Sequence, residues 1–247
     1  MKFHELLDDS YLSKLFESDI SAGTDKVIKT VTEHGFRTLI NLPETYKDYL
    51  MSLRKKMRNN ITRTFSRLEN EQQYTIDSIS EMQEVDESVA ILTELNLSRR
   101  GSMNKYSVFE QENFVRFHRR IIKRLLPLNK GSFRILRLTN KPVAVLYSFI
   151  DGDTIHPYQS GFEKDNGQRY SLLTTMLTQE ISNSINNPRL KRFNFMYSDE
   201  ESTYKKRYSG TTEAMYRVSF DKPGIKYRVY RLIHGPLKEL TKKLLRK

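Results

Sequence analysis

The residues with the clearest potential for chemistry form a strand, a polar loop and the start of a helix. Residues 154–162 have the composition of a strand, and the loop that follows contains Gly167. Apolar residues then recur at helical spacing, at Leu172, Leu173, Met176, Leu177, Ile181 and Ile185. The first N–H groups of a helix have no partner within the helix, and the helix dipole makes this end positive. The sequence therefore predicts that backbone groups here can receive an anion.

Familiar catalytic patterns are absent from the sequence. It contains no Gly-x-Ser-x-Gly, His-Glu-x-x-His, Walker or Gly-x-Gly-x-x-Gly motif, and its five histidines are scattered. The absence of cysteine excludes disulfides, thiolate metal sites and a cysteine nucleophile. The acidic run at 199–201 is more typical of a solvated loop than of the paired carboxylates of a nuclease. We therefore predict no metal site and a chemistry based on positioning and backbone hydrogen bonds.

Four predicted strands and one helix position this loop. Strand-like runs at 133–138 and 143–150 are followed by Asp151-Gly152, which suits a tight hairpin turn into the strand at 154–162. The helix ends at Pro188, and a fourth strand follows at 191–197. This order predicts a right-handed βαβ crossover whose last two strands are parallel.

A basic amphipathic helix is predicted at about residues 45–69. Its apolar face contains Leu50, Leu53, Met57, Ile61, Phe65 and Leu68, and its other faces carry Arg54, Lys55, Lys56, Arg58, Arg63 and Arg67. A surface helix docked by its apolar face is the interpretation that the pattern favours. In the alternative interpretation, the six cations line a cleft for an anionic substrate or cofactor.

Two capping boxes predict the next helices. Ser80 with Gln83 opens a helix after a strand at 73–79, and Ser107 with Glu110 opens a second helix. Residues 98–102, between the helices, are interpreted as a polar, basic loop. His118 shares a face with apolar residues, so we interpret it as a partly buried, hydrogen-bonded histidine rather than as a catalytic base.

The net charge of +12 indicates an anionic partner, such as nucleic acid, a phosphorylated cofactor or an acidic membrane. A short helix at 204–208 that Gly210 could terminate, a strand at 213–220 and a basic helical tail at 225–247 complete the chain. The tail either packs on the domain or lies on an anionic membrane. No signal peptide or membrane span is evident, so we predict a cytoplasmic protein, at most peripheral at the inner membrane surface.

Several short sequence segments, and their order along the chain, resemble those of the CelD/BcsL-type acyltransferases. These enzymes belong to the GNAT N-acyltransferase superfamily and are related to the Fem peptidyltransferases. The segments are residues 49–53, Arg58, residues 63–68, Phe117-His118, Gly131, residues 141–144, residues 158–162 and Tyr204-Lys205. The resemblance covers residues 45–220 and implies an α/β (α+β) fold, with a GNAT-like mixed sheet flanked by helices and basic helical segments at both ends.

Three regions are expected from this resemblance. Residues 1–70 would form an N-terminal remnant or linker with the basic helix, residues 71–222 the GNAT-like acyltransferase domain, and residues 223–247 the basic tail. Because such proteins usually carry two GNAT-like lobes, the first lobe is expected to be truncated or absent here.

The resemblance also implies transfer of an acyl group from acyl-CoA to an amine or hydroxyl of a carbohydrate-like acceptor. The strand containing Tyr158, Ser160 and Gly161 would hydrogen-bond the pantetheine arm and polarise the thioester carbonyl through its backbone. The loop and helix start would hold the pyrophosphate through Gly167, Gln168, Arg169, Tyr170 and Ser171.

For the catalytic groups, the resemblance implies that Tyr204 protonates the leaving thiolate, with Tyr197 and Tyr208 as rivals. His156, Glu180 and Glu201 are candidates for the general base. Arg58, Arg63 and Lys205 are candidates for substrate binding. No metal is expected.

Two other functions remain open. One is Fem-like transfer of an aminoacyl group from tRNA, in which the basic helix would contact the RNA backbone. The other is a catalytically silent GNAT-like module that binds nucleic acid or an acidic membrane.

Overall fold

The computed structural model describes residues 2–6, 28–71, 73–164, 170–198 and 204–221. The strands are β1 (Lys2–Leu6), β2 (Ile28–Asn41), β3 (Tyr74–Ser78), β4 (Gly131–Leu138), β5 (Lys141–Asp151), β6 (Thr154–Phe162), β7 (Arg192–Ser198) and β8 (Thr211–Asp221). The α-helices are α1 (Tyr46–Ser52), α2 (Lys55–Glu71), α3 (Val85–Gly101), α4 (Glu112–Leu125) and α5 (Leu172–Ile185). Short 3₁₀ turns lie at Met82–Glu84, Val108–Glu110, Leu126–Leu128 and Lys205–Tyr208.

The chain divides into two compact units. The described part of the first unit contains β1, the first part of β2 and most of β8. In this unit β1 pairs antiparallel with β8, from Lys2 opposite Ser219 to Leu6 opposite Tyr216. Arg37 forms an ion pair with Glu213, with 2.6 Å between Nη2 and Oε2.

The second unit, Thr38–Met196 with Ser202–Thr212, contains a mixed sheet with the strand order β7-β6-β5-β4-β3. The pairing is parallel between β6 and β7 and antiparallel between the others. Alternate residues of β5 enter different cores: Ala144 and Leu146 pack in the core with α2 and α5, whereas Val145 and Tyr147 pack in the core with α3 and α4. This arrangement confirms the predicted α/β class, with a mixed sheet flanked by helices.

The predicted central stretch is largely confirmed. The β5–β6 hairpin turn consists of Gly152 and Asp153, between the paired residues Asp151 and Thr154, and Gly152 has the positive φ of 55° that such turns require. The β6-α5-β7 crossover has parallel strands, as predicted. The capping box of Ser107 with Glu110 is also present.

Four local predictions were wrong. The single helix at 45–69 is two helices, because buried Leu53 is extended (φ −75°, ψ 148°) between α1 and α2. The first capping box pairs Glu81 with Glu84, one residue later than predicted. Residues 98–101 form the last turn of α3 rather than a loop, and the 3₁₀ turn after Tyr204 ends at Ser209 (φ 63°), before Gly210.

The predicted tail at 225–247 lies outside the described residues. Within the described ranges, none of the helices has the length and apolar character needed to span a membrane.

Candidate active site

Strands β6 and β7 separate soon after they begin. Their parallel pairing comprises Thr154 opposite Arg192 and Ile155 opposite Phe193, although β6 continues to Phe162. On its other side, β6 carries one extra residue opposite β5, since Ser148 pairs with Pro157 and Tyr147 with Gln159. Such bulges bend a strand and end regular pairing, often beside active sites. The bulge and the short pairing leave an opening between β6 and β7.

Side chains contact the main chain of β7 where it has separated from β6. Met196 has a positive φ of 57°, an unusual conformation for a non-glycine residue. The Asn194 side-chain oxygen accepts a hydrogen bond from the Met196 N–H at 2.9 Å. The Lys205 ammonium donates to the carbonyls of Phe195 at 2.8 Å and Met196 at 3.2 Å. Side chains thus provide hydrogen-bond partners for the main chain of β7 at Phe195 and Met196.

A cavity of about 120 Å³, here called the inter-strand cavity, lies at this opening. It is lined by Arg99, Leu146, Pro157, Tyr158, Gln159, Ser160, Leu173, Leu177, Phe195 and Tyr204. Four of these residues, 157–160, are consecutive in β6. Because successive strand side chains point to opposite faces, a cavity that touches four in a row is bordered by the backbone edge of the strand. Main-chain groups of β6 therefore line the inter-strand cavity.

The first turn of α5 also reaches the inter-strand cavity, through Leu173. Ser171 precedes the helix with a left-handed backbone (φ 46°), and its carbonyl accepts the Thr175 N–H. Tyr170 is buried beside it. The three other residues predicted to hold a pyrophosphate, Gly167, Gln168 and Arg169, lie outside the described residues.

Tyr204 and Arg99 approach the inter-strand cavity from different elements. Tyr204 precedes the 3₁₀ turn, and Arg99 lies in the last turn of α3, with its guanidinium 4.7 Å from the centre of the Phe162 ring. Partial burial raises the pKa of Tyr204, and the positive charge of Arg99 opposes this shift. Tyr204 is therefore protonated at neutral pH and can donate a proton.

A buried polar network fixes β6 against α3. The Asn96 amide donates to the Ser160 carbonyl at 2.8 Å, and the Ser107 hydroxyl donates to the Asn96 side-chain oxygen at 2.8 Å. Gly161 permits this close approach, since a Cβ there would lie 2.7 Å from the Leu95 Cβ and 2.8 Å from the Asn96 nitrogen. The position of the β6 backbone thus depends on α3.

Other predicted site residues lie away from the inter-strand cavity. Glu180 is 1% exposed and forms an ion pair with Arg134. His156 lies on β6 opposite Phe149. Lys205 is buried on the carbonyls of β7, and burial lowers its pKa. Of the rival tyrosines, Tyr208 is buried with its pKa raised to about 12, and Tyr197 donates to the His34 carbonyl in the first unit.

A second cavity, of about 1040 Å³, lies at the start of α2 and is here called the basic cleft. Its lining residues are Arg54, Lys55, Lys56, Met57, Asn59, Asn60, Arg63 and Arg207. Arg63 is among them as predicted, but Arg58 instead points its guanidinium at the carbonyls of Leu50 and Met51, both at 3.5 Å. No group of three or more potential metal ligands occurs in the described ranges.

The family model for the acetyltransferase (GNAT) domain matches residues 55–206. This range includes every residue that lines the inter-strand cavity and all that line the basic cleft except Arg54 and Arg207. The chain belongs to the GNAT acetyltransferase family. No curated protein sequence matches it.

Solved structures share the GNAT fold at low sequence identity. FemX has a TM-score of 0.64 at 8% identity, covering 94% of this chain and 74% of its own. L-PGS of Bacillus licheniformis has a TM-score of 0.57 at 12% identity, covering 94% and 71%. A conserved protein of unknown function from Bacteroides thetaiotaomicron has a TM-score of 0.57 at 13% identity, covering 90% and 69%.

Sequence reasoning missed Asn96 and Arg99. The helical spacing of Leu92, Asn96 and Arg99 places them on one face of α3, and this signal was present in the sequence. The interpretation of residues 98–102 as a loop concealed it. Arg207 of the basic cleft had no such signal, because its position depends on the tertiary fold.

Proposed function

We propose that this chain transfers an acyl group from acyl-CoA to an amine or hydroxyl of a carbohydrate-like acceptor. The observation that carries the proposal is the backbone edge of β6 along the inter-strand cavity. Such an edge can hydrogen-bond an extended chain of amides, as a neighbouring strand would. The pantetheine arm of acyl-CoA is a chain of this kind, and the nearby start of α5 suits the phosphates at its other end.

The acyl-CoA supplies an activated thioester carbonyl, and the chain supplies positioning and a proton. Backbone N–H groups of β6 can hydrogen-bond the carbonyl oxygen as negative charge develops on it. The acceptor amine or hydroxyl bonds to the carbonyl carbon, the carbon–sulfur bond breaks, and its electron pair remains on sulfur. Tyr204 donates its proton to this sulfur and is later reprotonated from the proton that the acceptor loses, through solvent.

Calorimetric titration with acetyl-CoA, at low and moderate salt, tests this proposal. Leu173→Trp would place a bulky ring in the inter-strand cavity and should weaken acetyl-CoA binding at least about tenfold, a loss of about 1.4 kcal/mol. Gln179→Trp, at a partly exposed position on the same helix, is the matched control and should bind as the wild type does. Absence of wild-type binding at both salt concentrations would refute the proposal.

A second candidate function is aminoacyl transfer from tRNA, and the basic cleft favours it. Five cations line this cleft and suit a phosphate backbone. The shared fold with FemX and L-PGS is compatible with this function. If it is correct, replacing Arg54, Lys56 and Arg63 by Gln should weaken binding of an RNA minihelix and lower the salt dependence by roughly one unit per lost phosphate contact. RNA binding with neither acetyl-CoA binding nor turnover would instead indicate a silent binding module.

A further inference from the structure

Arg99 is a cation placed inside the inter-strand cavity. It projects from the last turn of α3, and its guanidinium stacks over the Phe162 ring. The other cavity residues are apolar or carry neutral polar groups, including the hydroxyls of Tyr158, Ser160 and Tyr204. The lining therefore has one formal charge, and that charge is positive.

Within the described ranges, Arg99 forms no ion pair with a carboxylate, although other arginines of this unit do. Arg134 pairs with Glu180, and Arg137 with Asp77. Burial and the neighbouring charge of Arg100 lower the pKa of Arg99, but a guanidinium keeps its proton in proteins. A partly buried charge without an opposite charge is unfavourable, so the cavity is suited to an anion that arrives with a ligand.

The position of Arg99 identifies which ligand would bring this anion. Arg99 and Tyr204, the proposed proton donor, line the same small cavity, so Arg99 lies at its reacting end. The charge of Arg99 accordingly opposes the effect of burial, which raises the tyrosine pKa. The phosphates of acyl-CoA are separated from its thioester by the whole pantetheine arm. We infer that Arg99 binds a carboxylate or phosphate group of the acceptor, adjacent to the amine or hydroxyl that is acylated. This inference rests on the proposed acyl-CoA-dependent function.

The Nε–H resonance of Arg99, in ¹⁵N-labelled protein, provides a direct test. It is assigned by its loss in Arg99→Lys, and inorganic phosphate is then titrated at constant ionic strength, with and without saturating CoA. Saturable shifts of the Arg99 signal under both conditions are expected, with no saturable shift of the Arg100 signal. No saturable shift, or a phosphate response that CoA abolishes, would overturn the inference; in the second case the anion belongs to the donor.

Turnover gives an independent readout of the same inference. With acetyl-CoA as donor, we expect kcat/KM for glucosamine 1-phosphate to exceed that for uncharged methyl glucosaminide at least about tenfold, equivalent to about 1.4 kcal/mol. Arg99→Met should abolish this preference without changing KM for acetyl-CoA, and Arg100→Met should retain it. Equal use of the two acceptors by the wild type would contradict the inference.

The two proposals can fail separately. If acetyl-CoA leaves the backbone amides of Tyr158 and Ser160 unperturbed, the acyl-CoA function fails. If acetyl-CoA perturbs them but phosphate does not reach Arg99, only the acceptor inference fails.

Discussion

Replacing Gly161 by Ala should disturb the inter-strand cavity through α3, without touching a ligand. The new Cβ would lie 2.7 to 2.9 Å from Leu95 and Asn96 atoms, two of which are backbone atoms that cannot rotate away. Ordinary contact begins at 3.4 Å, so α3 must move by about 0.6 Å. The same displacement would lengthen the 2.8 Å hydrogen bond from Asn96 to the Ser160 carbonyl to about the limit of a hydrogen bond.

The expected loss of stability combines these two effects. Overpacking costs about 1–3 kcal/mol, and loss of the hydrogen bond costs roughly 0.5–1.5 kcal/mol. We therefore expect the free energy of unfolding to fall by about 2–4 kcal/mol and Tm by roughly 4–16 °C. Affinity for acetyl-CoA should fall as well, because the β6 backbone shifts.

Urea denaturation and acetyl-CoA calorimetry measure the two effects, and Gly101→Ala is the matched control. Gly101 lies in α3, the helix that a Cβ at residue 161 would meet. A Cβ at Gly101 itself meets nothing within 4 Å, so this substitution should be neutral or stabilise the protein by about 0.4–1 kcal/mol. If Gly161→Ala unfolds within about 0.5 kcal/mol of the wild type and binds acetyl-CoA equally well, the close packing of α3 on β6 does not position the cavity.

Three further substitutions test individual side chains. Tyr204→Phe should lower kcat about 10²–10⁴-fold, with acetyl-CoA affinity unchanged, and a preserved kcat would exclude Tyr204 as the proton donor. Lys205→Met leaves the carbonyls of Phe195 and Met196 without their ammonium donor, so urea denaturation should show a free energy of unfolding lower by about 1–3 kcal/mol. A raised KM for the acceptor at unchanged stability would instead support substrate binding by Lys205. Burial lowers the pKa of His118, so the unfolded chain binds a proton that the folded protein does not, and unfolding free energy should fall as pH drops below about 6.5. His118→Phe should weaken this pH dependence, and an unchanged dependence would show that other groups cause it.

The central fold could be predicted because its signals are local. The turn that begins at Gly152, the apolar period of α5 and the capping box at Ser107 each depend on residues close in sequence. The break between α1 and α2 could not be predicted in this way. The apolar face continues through buried Leu53, and hydrogen bonds at the helix ends, rather than apolar spacing, end one helix and begin the next.

The site was predicted less completely than the fold. Tyr158, Ser160 and Tyr204 meet at the inter-strand cavity, whereas Glu180 pairs with Arg134, 46 residues away in sequence. Arg134 lies on another element, β4, and pairs with one oxygen, Oε2, of the buried Glu180 carboxylate. Similarly, the burial of Lys205 depends on the left-handed backbone at Met196, which the sequence does not indicate.

The separation of β6 from β7 creates a hazard as well as an opening. An unpaired strand edge can recruit a strand of another molecule and so begin aggregation. Two features of β6 oppose such recruitment: Pro157 has no N–H to offer, and the extra residue opposite β5 interrupts the regular spacing that an incoming strand would need. The irregularity of β6 thus leaves the inter-strand cavity open while discouraging pairing with a second polypeptide.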